Sequence, residues 1–249
     1  MENSVKELFV AGVRMHDVPE LSVQEVIQEI SGRGCPQRII FLRTFDVLRA
    51  WMSSRRRAEL QEAGLVIPVQ RGVQVLAALA GFSRPQRYMP FQFVVKVLGA
   101  IEQQQGSIYL VGGRPATLER AEGNVRYTFP NLRIVGRYPG YVKKGMQAAL
   151  LTAARKSSPD VLLIGSGTAG RSPGFLRKTE NLPNGICISA PKVFLVFAQK
   201  RKRPSQFLFN TSLGGVFASL LLPWHWVRFP FYAVFGIRLL GQRLSARKK

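Results

Sequence analysis

Acidic side chains are scarce in this chain. Against 36 Lys and Arg there are only 14 Asp and Glu; three of these are aspartates (Asp17, Asp46 and Asp160), and no acid follows Glu180. The formal net charge is +22 and the isoelectric point about 11.2. Such a field favours nucleic acid, anionic lipid or phosphorylated ligands. It also leaves few groups able to accept a proton. Cysteine is nearly absent: Cys35 and Cys187 form neither a disulfide framework nor a metal cluster. The chain lacks helix-turn-helix, RNA-recognition and zinc-finger patterns, so charge alone does not carry a nucleic-acid reading. The polar first residues contain no apolar leader run, from which no signal peptide and a cytoplasmic address are expected. Internal repeats and low-complexity segments are missing too.

What is present is best seen between Gly106 and Gly167. Three short apolar runs, Ile108–Val111, Leu132–Val135 and Val161–Ile164, each end in glycine. Uniformly apolar runs separated by helix-like segments read as parallel strands buried on both faces. Gly112-Gly113 and Gly165-Ser166-Gly167 fall where those strands give way to helices. Open α/β sheets bind ligands at the carboxyl ends of their strands, and helix N-termini there favour phosphate. Tight turning alone would also account for these glycines.

Further strands are expected at Leu8–Val13, Arg38–Leu42, Leu65–Val69 and Ile186–Ile188. Helices are expected at Val18–Ile30, Asp46–Leu60, Gly72–Ala80, Phe91–Gln104, Thr117–Tyr127, Gln147–Lys156 and, short, Phe175–Thr179. This alternation favours an α/β three-layer sandwich with a mostly parallel, Rossmann-like sheet.

Composition changes after Ala198, which places an α/β domain at 1–198 and a tail at 199–249. The tail opens with the basic run Lys200, Arg201, Lys202, Arg203. Residues 206–227 then carry no Lys, Arg, Asp or Glu but include Trp224 and Trp226, and Arg228, Arg238 and Arg243 follow among aromatics. A span needs about 20 mainly apolar residues, and here Gly214-Gly215, Pro223 and His225 interrupt the stretch. Mixed aromatics and arginines suit a segment lying in the bilayer interface, with cations on anionic headgroups. The expected location is therefore cytoplasmic, peripheral on the inner face of the membrane.

Several segments together resemble one family. They are G-V-R-M-H-D from Gly12, A-G-L-V-I-P from Ala63, Q-R-Y-M-P from Gln86 and Y-L-V-G-G-R-P from Tyr109. Y-T-F-P-N-L-R-I-V-G from Tyr127, P-G-Y from Pro139 and P-D-V-L-L-I-G-S-G from Pro159 continue the series. In these the chain resembles the WecG/TagA/CpsF glycosyltransferases over nearly its whole length. The resemblance implies transfer of an N-acetylhexosamine, typically N-acetylmannosamine, from a UDP-sugar to a polyprenyl-diphosphate-linked sugar. It implies inversion at the anomeric centre, no dedicated metal, no cofactor beyond the donor, and a tail that helps dock on membrane and close the site.

The chain departs from the family pattern where acids are expected. The family's Asp-Gly, whose carboxylate is its general base, corresponds to Val69-Gln70, and its T-x-N to Leu42-Arg43-Thr44. Inverting transfer needs a base at the acceptor hydroxyl and cationic or dipolar help for the leaving diphosphate. The carboxylate nearest the expected sugar pocket is Asp46, with Thr44 beside it; Asp17 and His16 are further candidates, while Asp160 reads as structural. Gly112, Gly113, Arg114, Gly140, Tyr141, Gly165, Gly167 and Arg171 are the candidate UDP-sugar and phosphate contacts. Arg87 joins Lys200, Arg201, Lys202, Arg203, Trp224, Trp226, Arg228, Arg238 and Arg243 as candidate acceptor and membrane contacts. Two functions are kept: a membrane-associated glycosyltransferase-like enzyme, and a catalytically inactive descendant that binds a nucleotide sugar or lipid diphosphate or scaffolds a partner. Whether two copies associate is left open.

Overall fold

The computed structural model describes residues 5–33, 35–141, 146–167, 185–203, 205–211 and 235–236. The strands are β1 (Lys6–Val10), β2 (Val13–Asp17), β3 (Gln37–Leu42), β4 (Leu65–Pro68), β5 (Ser107–Val111), β6 (Arg133–Tyr138), β7 (Val161–Ile164) and β8 (Ile186–Ser189). The α-helices are α1 (Val23–Ser31), α2 (Thr44–Met52), α3 (Ser54–Gln61), α4 (Arg71–Leu79), α5 (Pro90–Gln103), α6 (Pro115–Thr128), α7 (Met146–Ser157), α8 (Pro191–Phe197) and α9 (Gln206–Thr211). Six strands form a sheet in the order β4-β3-β8-β7-β5-β6, and the pairings of β3 with β8, β8 with β7, β7 with β5 and β5 with β6 are parallel. The fold is α/β and Rossmann-like, as the strand–helix alternation implies.

The chain divides into two compact units. One comprises residues 1–20, 40–89 and 204–249, the other 21–39 and 90–203. In the second unit, β5 and β7 are buried along their whole length. Side chains alternate across a strand, so Tyr109 and Val111 share a face. That face, with Leu162, Ile164 and Cys187, packs on Leu150, Leu151 and Ala154 of α7. At the start of β7 the Asp160 carboxylate accepts the Ser107 N–H (2.7 Å) and hydroxyl (2.7 Å), tying β5 to β7 at their amino ends. This is the structural role expected for Asp160.

The first unit has its own core of Leu8, Val10, Val13 and Met15 from the hairpin, Leu42, Val66, and Val47, Leu48, Val73 and Leu76 from the helices. Phe235, from beyond Ala198, is 1% exposed within this core, its ring 5.0 Å from that of Trp51.

Four expectations are corrected. Leu8–Val13 is not one strand of the parallel sheet but the antiparallel hairpin β1–β2, turned by Ala11 and Gly12, both at positive φ (52° and 74°). Positive φ at both central residues is the mark of a type I′ hairpin, whose twist matches that of its strands. The helix expected at Asp46–Leu60 is two helices, broken at Ser53, whose backbone is extended. β6 is an edge strand with alternating exposure rather than one buried on both faces. Gly136 therefore does not end the strand; it sits within it, where a side chain would strike the Tyr109 ring. The helix expected at Phe175–Thr179 lies outside the described residues, while α8 and α9 were not expected.

Phe235→Ala should lower the unfolding free energy by about 3–5 kcal/mol, the usual cost of deleting a buried phenyl ring. Chemical denaturation of the full-length chain measures it.

Candidate functional site

The carboxyl ends of β5, β6 and β7 meet at five glycines of the second unit. Gly112 (φ 144°) and Gly113 (φ 71°) follow β5, Gly140 follows β6, and Gly165 and Gly167 (φ 134°) follow β7. A Cβ on Gly112 would lie 2.6 Å from the Gly165 Cα, and one on Gly167 would overlap the Gly140 backbone. A Cβ on Gly165 would enter the Phe194 ring at 2.5 Å. Only glycine permits this approach of three main chains.

The amides of this corner are largely committed to it. Gly112 N–H donates to Tyr138 (3.0 Å), Gly113 to Ser166 (2.6 Å), Gly140 to Gly113 (2.9 Å) and Gly165 to Val111 (2.6 Å). The glycines thus weld the loops together, and the donors they offer a phosphate are fewer than the sequence implied. What the weld positions is the N-terminus of α6, opening at Arg114 with Pro115 in the first turn. Proline suits that position because its missing N–H has no helical partner there. Exposed Arg114 and Tyr141 stand at the same strand ends. An anion here would meet the α6 dipole and the Arg114 guanidinium.

In the first unit, Thr44 begins α2 at the end of β3, and its N–H donates to the Gln70 side chain (3.0 Å). Thr44 is packed against Gly72, where any side chain would collide with its hydroxyl. Val69 is 9% exposed, and its N–H donates to Leu42 (3.0 Å). Asp46 is engaged with Arg43: the guanidinium donates to both carboxylate oxygens (2.8 and 3.1 Å), and the Arg43 N–H adds a third bond (3.2 Å). An acid in the first turn of a helix is stabilised by the dipole as well. Asp17 accepts the Gln86 N–H (2.6 Å).

His16 is buried in β2, with Nδ1 accepting the Val66 N–H (2.9 Å) and Nε2 3.6 Å from Glu7. Burial, reinforced by the Arg14 cation, pushes its pKa down to about 4 against the opposing pull of Glu7. It is a neutral core histidine. Among the described residues no cluster of His, Cys, Asp or Glu has metal-binding geometry.

Lys200, Arg201, Lys202 and Arg203 are exposed after α8, with the Arg203 guanidinium over the Phe91 ring at 5.6 Å. Arg87 lies in the first unit over the Phe209 ring at 4.1 Å. Arg171, Trp224, Trp226, Arg228, Arg238 and Arg243 lie outside the described residues. Among the described residues no helix is long and apolar enough to cross a membrane.

The match to the Glycosyl transferase WecG/TagA/CpsF family covers residues 8–249. The chain belongs to this family. Two relatives are each named N-acetylglucosaminyldiphosphoundecaprenol N-acetyl-beta-D-mannosaminyltransferase. The one from Bacillus subtilis (strain 168) is 22% identical over 178 residues, covering 70% of this chain and 69% of the relative. The one from Bacillus spizizenii (strain ATCC 23059 / NRRL B-14472 / W23) is 25% identical over 180 residues, covering 72% and 69%. The sequence reading overlooked the Arg43–Asp46 pairing, which an acid three residues after a helix start signals. It overlooked Phe194 beneath the glycines, although Pro191 marks the start of α8.

Because His16 has its folded-state pKa below the unfolded value of 6.5, the unfolded chain binds a proton first as pH falls. Stability should therefore be unaffected above pH 6.5, decline between about 6.5 and 4, and level off below. The loss from this group is about 3 kcal/mol at most. Glu7, whose pKa is lowered chiefly by its bond from Arg14, adds a loss of the same sign at lower pH. His16→Asn, whose amide oxygen can replace Nδ1, should flatten the decline above pH 4 in denaturation curves.

Proposed function

We propose that this family member acts on the reaction its relatives' names describe. An N-acetylhexosamine passes from a UDP-sugar to a sugar carried on a polyprenyl diphosphate at the inner face of the membrane. The observation that carries the reading is the glycine weld, which sets the N-terminus of α6 and Arg114 at the strand ends where an α/β sheet binds a phosphorylated ligand. Donor contacts are assigned to Arg114, Tyr141 and Arg171 around Gly112, Gly113, Gly140, Gly165 and Gly167. The developing diphosphate charge is met by guanidinium groups and the helix dipole. No metal or cofactor beyond the donor sugar nucleotide is assigned.

Val69 supports a second reading. An isopropyl group cannot take a proton from an acceptor hydroxyl, and Asp46, the carboxylate expected nearest the sugar pocket, already accepts three bonds from Arg43. On this reading the chain binds the nucleotide sugar or lipid diphosphate without turning it over. In both readings Lys200–Arg203 and the aromatic tail hold the protein on anionic lipid as a two-part signal.

Calorimetry with UDP and UDP-N-acetylhexosamines should show binding; absence of heat with all of them overturns the transfer reading and the nucleotide-sugar form of the second. UDP release with a polyprenyl-diphosphate-linked acceptor then separates the two. Turnover by the natural chain supports the enzyme, while turnover gained only in Val69→Asp, by a factor of about 10²–10⁴ expected for a general base, supports the binding protein. For the membrane, Lys200→Glu/Arg201→Glu should cosediment with phosphatidylglycerol vesicles several-fold less than the unaltered chain. Equal cosedimentation removes the basic run from the membrane assignment.

A further inference from the structure

At the amino ends of β5 and β6, away from the glycine corner, a cavity of about 730 Å³ is lined by Glu102, Gln103, Gln104, Gln105, Asn131 and Arg133. Its size lies within the roughly 300–1,000 Å³ of small-ligand sites. Its chemistry differs from that of the chain as a whole. No apolar side chain lines it, four of the residues carry a primary amide, and the one carboxylate balances the one guanidinium. In a chain of net charge +22 this lining is neutral. A side-chain amide offers donors on its nitrogen and an acceptor on its oxygen. Such a wall has little with which to hold a polyphosphate or an apolar ring. It matches a neutral ligand dense in hydroxyl groups, each of which both donates and accepts.

The main chain fixes the frame. α5 ends in a Schellman closure, in which Gly106 N–H donates to the Ile101 carbonyl (2.9 Å) and Gln105 N–H to that of Glu102 (2.9 Å). The closure puts one residue in the left-handed region, a place glycine usually takes. Here that residue is Gln105, at φ 53°. A side chain held at such an angle costs free energy that glycine would not, and strain of this kind points to a use for the side chain. The Gln105 carbonyl accepts the Arg133 Nε–H (3.2 Å), and the Glu102 carboxylate accepts the Asn131 N–H (3.0 Å), which joins the end of α5 to the start of β6. Gln103 is tied to Gln24 of α1 through their side chains. The side-chain amides of Gln104, Gln105 and Asn131 bond to no other described residue, so their donors and acceptors remain for water or a ligand.

We propose that this cavity is a saccharide site, in which the amides of Gln104, Gln105 and Asn131 bond the hydroxyl groups of a neutral glycan and Glu102 and Arg133 complete the set of acceptors and donors. It stands apart from the strand ends assigned to the donor and does not rest on the transfer reading. It gives the protein a hold on a glycan at the end of β5 and β6 that the glycine corner does not occupy.

The test uses the full chain and uncharged disaccharides, N,N′-diacetylchitobiose and maltose, followed by NMR of the backbone amides. At least one of them should shift the amides of residues 102–106 and 131–133 in a saturable way. Its affinity should fall roughly five- to tenfold in Gln105→Gly and in Asn131→Ala, the worth of one or two hydrogen bonds. Gln105→Gly separates use from structure, because glycine relieves the left-handed angle: its melting temperature should rise while binding weakens. Thermal melting also checks that Asn131→Ala folds. No shift with either disaccharide, or unchanged affinity in the folded variants, overturns the proposal. Equal shifts with glycerol at the same hydroxyl concentration overturn it as well, since they report a polyol effect rather than a site. Shifts confined to the residues around Gly112 and Gly165 place the sugar at the donor corner and overturn it too. Saturable binding here without any UDP binding leaves this proposal standing and removes the transfer reading.

Discussion

Three main chains touch without side chains between them at the ends of β5, β6 and β7, and the described part of the second unit depends on that contact. Gly112, Gly113, Gly140, Gly165 and Gly167 let the loops bond to one another through their own amides and carbonyls. Phe194 closes the corner from below, so even one methyl on Gly165 would displace a buried ring. Such a joint fixes where α6 begins and which way its N-terminus faces. The positive charge presented at this corner comes from that helix and its neighbouring side chains rather than from the glycine amides.

The three aspartates share one occupation. Asp17 accepts the N–H of Gln86, Asp46 that of Arg43 and Asp160 that of Ser107. In a chain so short of acid, each of these carboxylates secures a turn or a strand end. A proton transfer that used any of these three carboxylates would have to rearrange one of these bonds. Binding of phosphorylated ligands makes no such demand and fits the abundance of arginine.

Much of this was legible in the residues. The uniformly apolar runs at Ile108–Val111 and Val161–Ile164 gave buried parallel strands because a strand covered on both faces has no polar side to display. The glycine pairs marked the convergent loops because close approach of main chains excludes every other residue. Leu132–Val135 misled because apolar content does not distinguish an edge strand from a central one; the partners do. The hairpin at Ala11-Gly12 was hidden in a continuous apolar stretch, its reversal set by two backbone angles rather than by a conspicuous turn sequence. The Arg43–Asp46 ion pair follows from the helix start, since residues three apart meet on the first turn. The seating of Phe235 against Trp51 lies furthest from sequence reach, since nothing local distinguishes that phenylalanine from the aromatics around it.

The partition of the chain has a consequence for its birth on the ribosome. The second unit is complete once residue 203 has emerged, but the core of the first requires Phe235, and its segments are interrupted twice by those of the other unit. Hairpin β1–β2, synthesised first, must therefore wait for nearly the whole chain before its apolar face is fully covered. Contacts between such distant segments form slowly, because loop closure precedes their reward. A strongly cationic nascent chain with an unfinished core is open to polyanions throughout that interval.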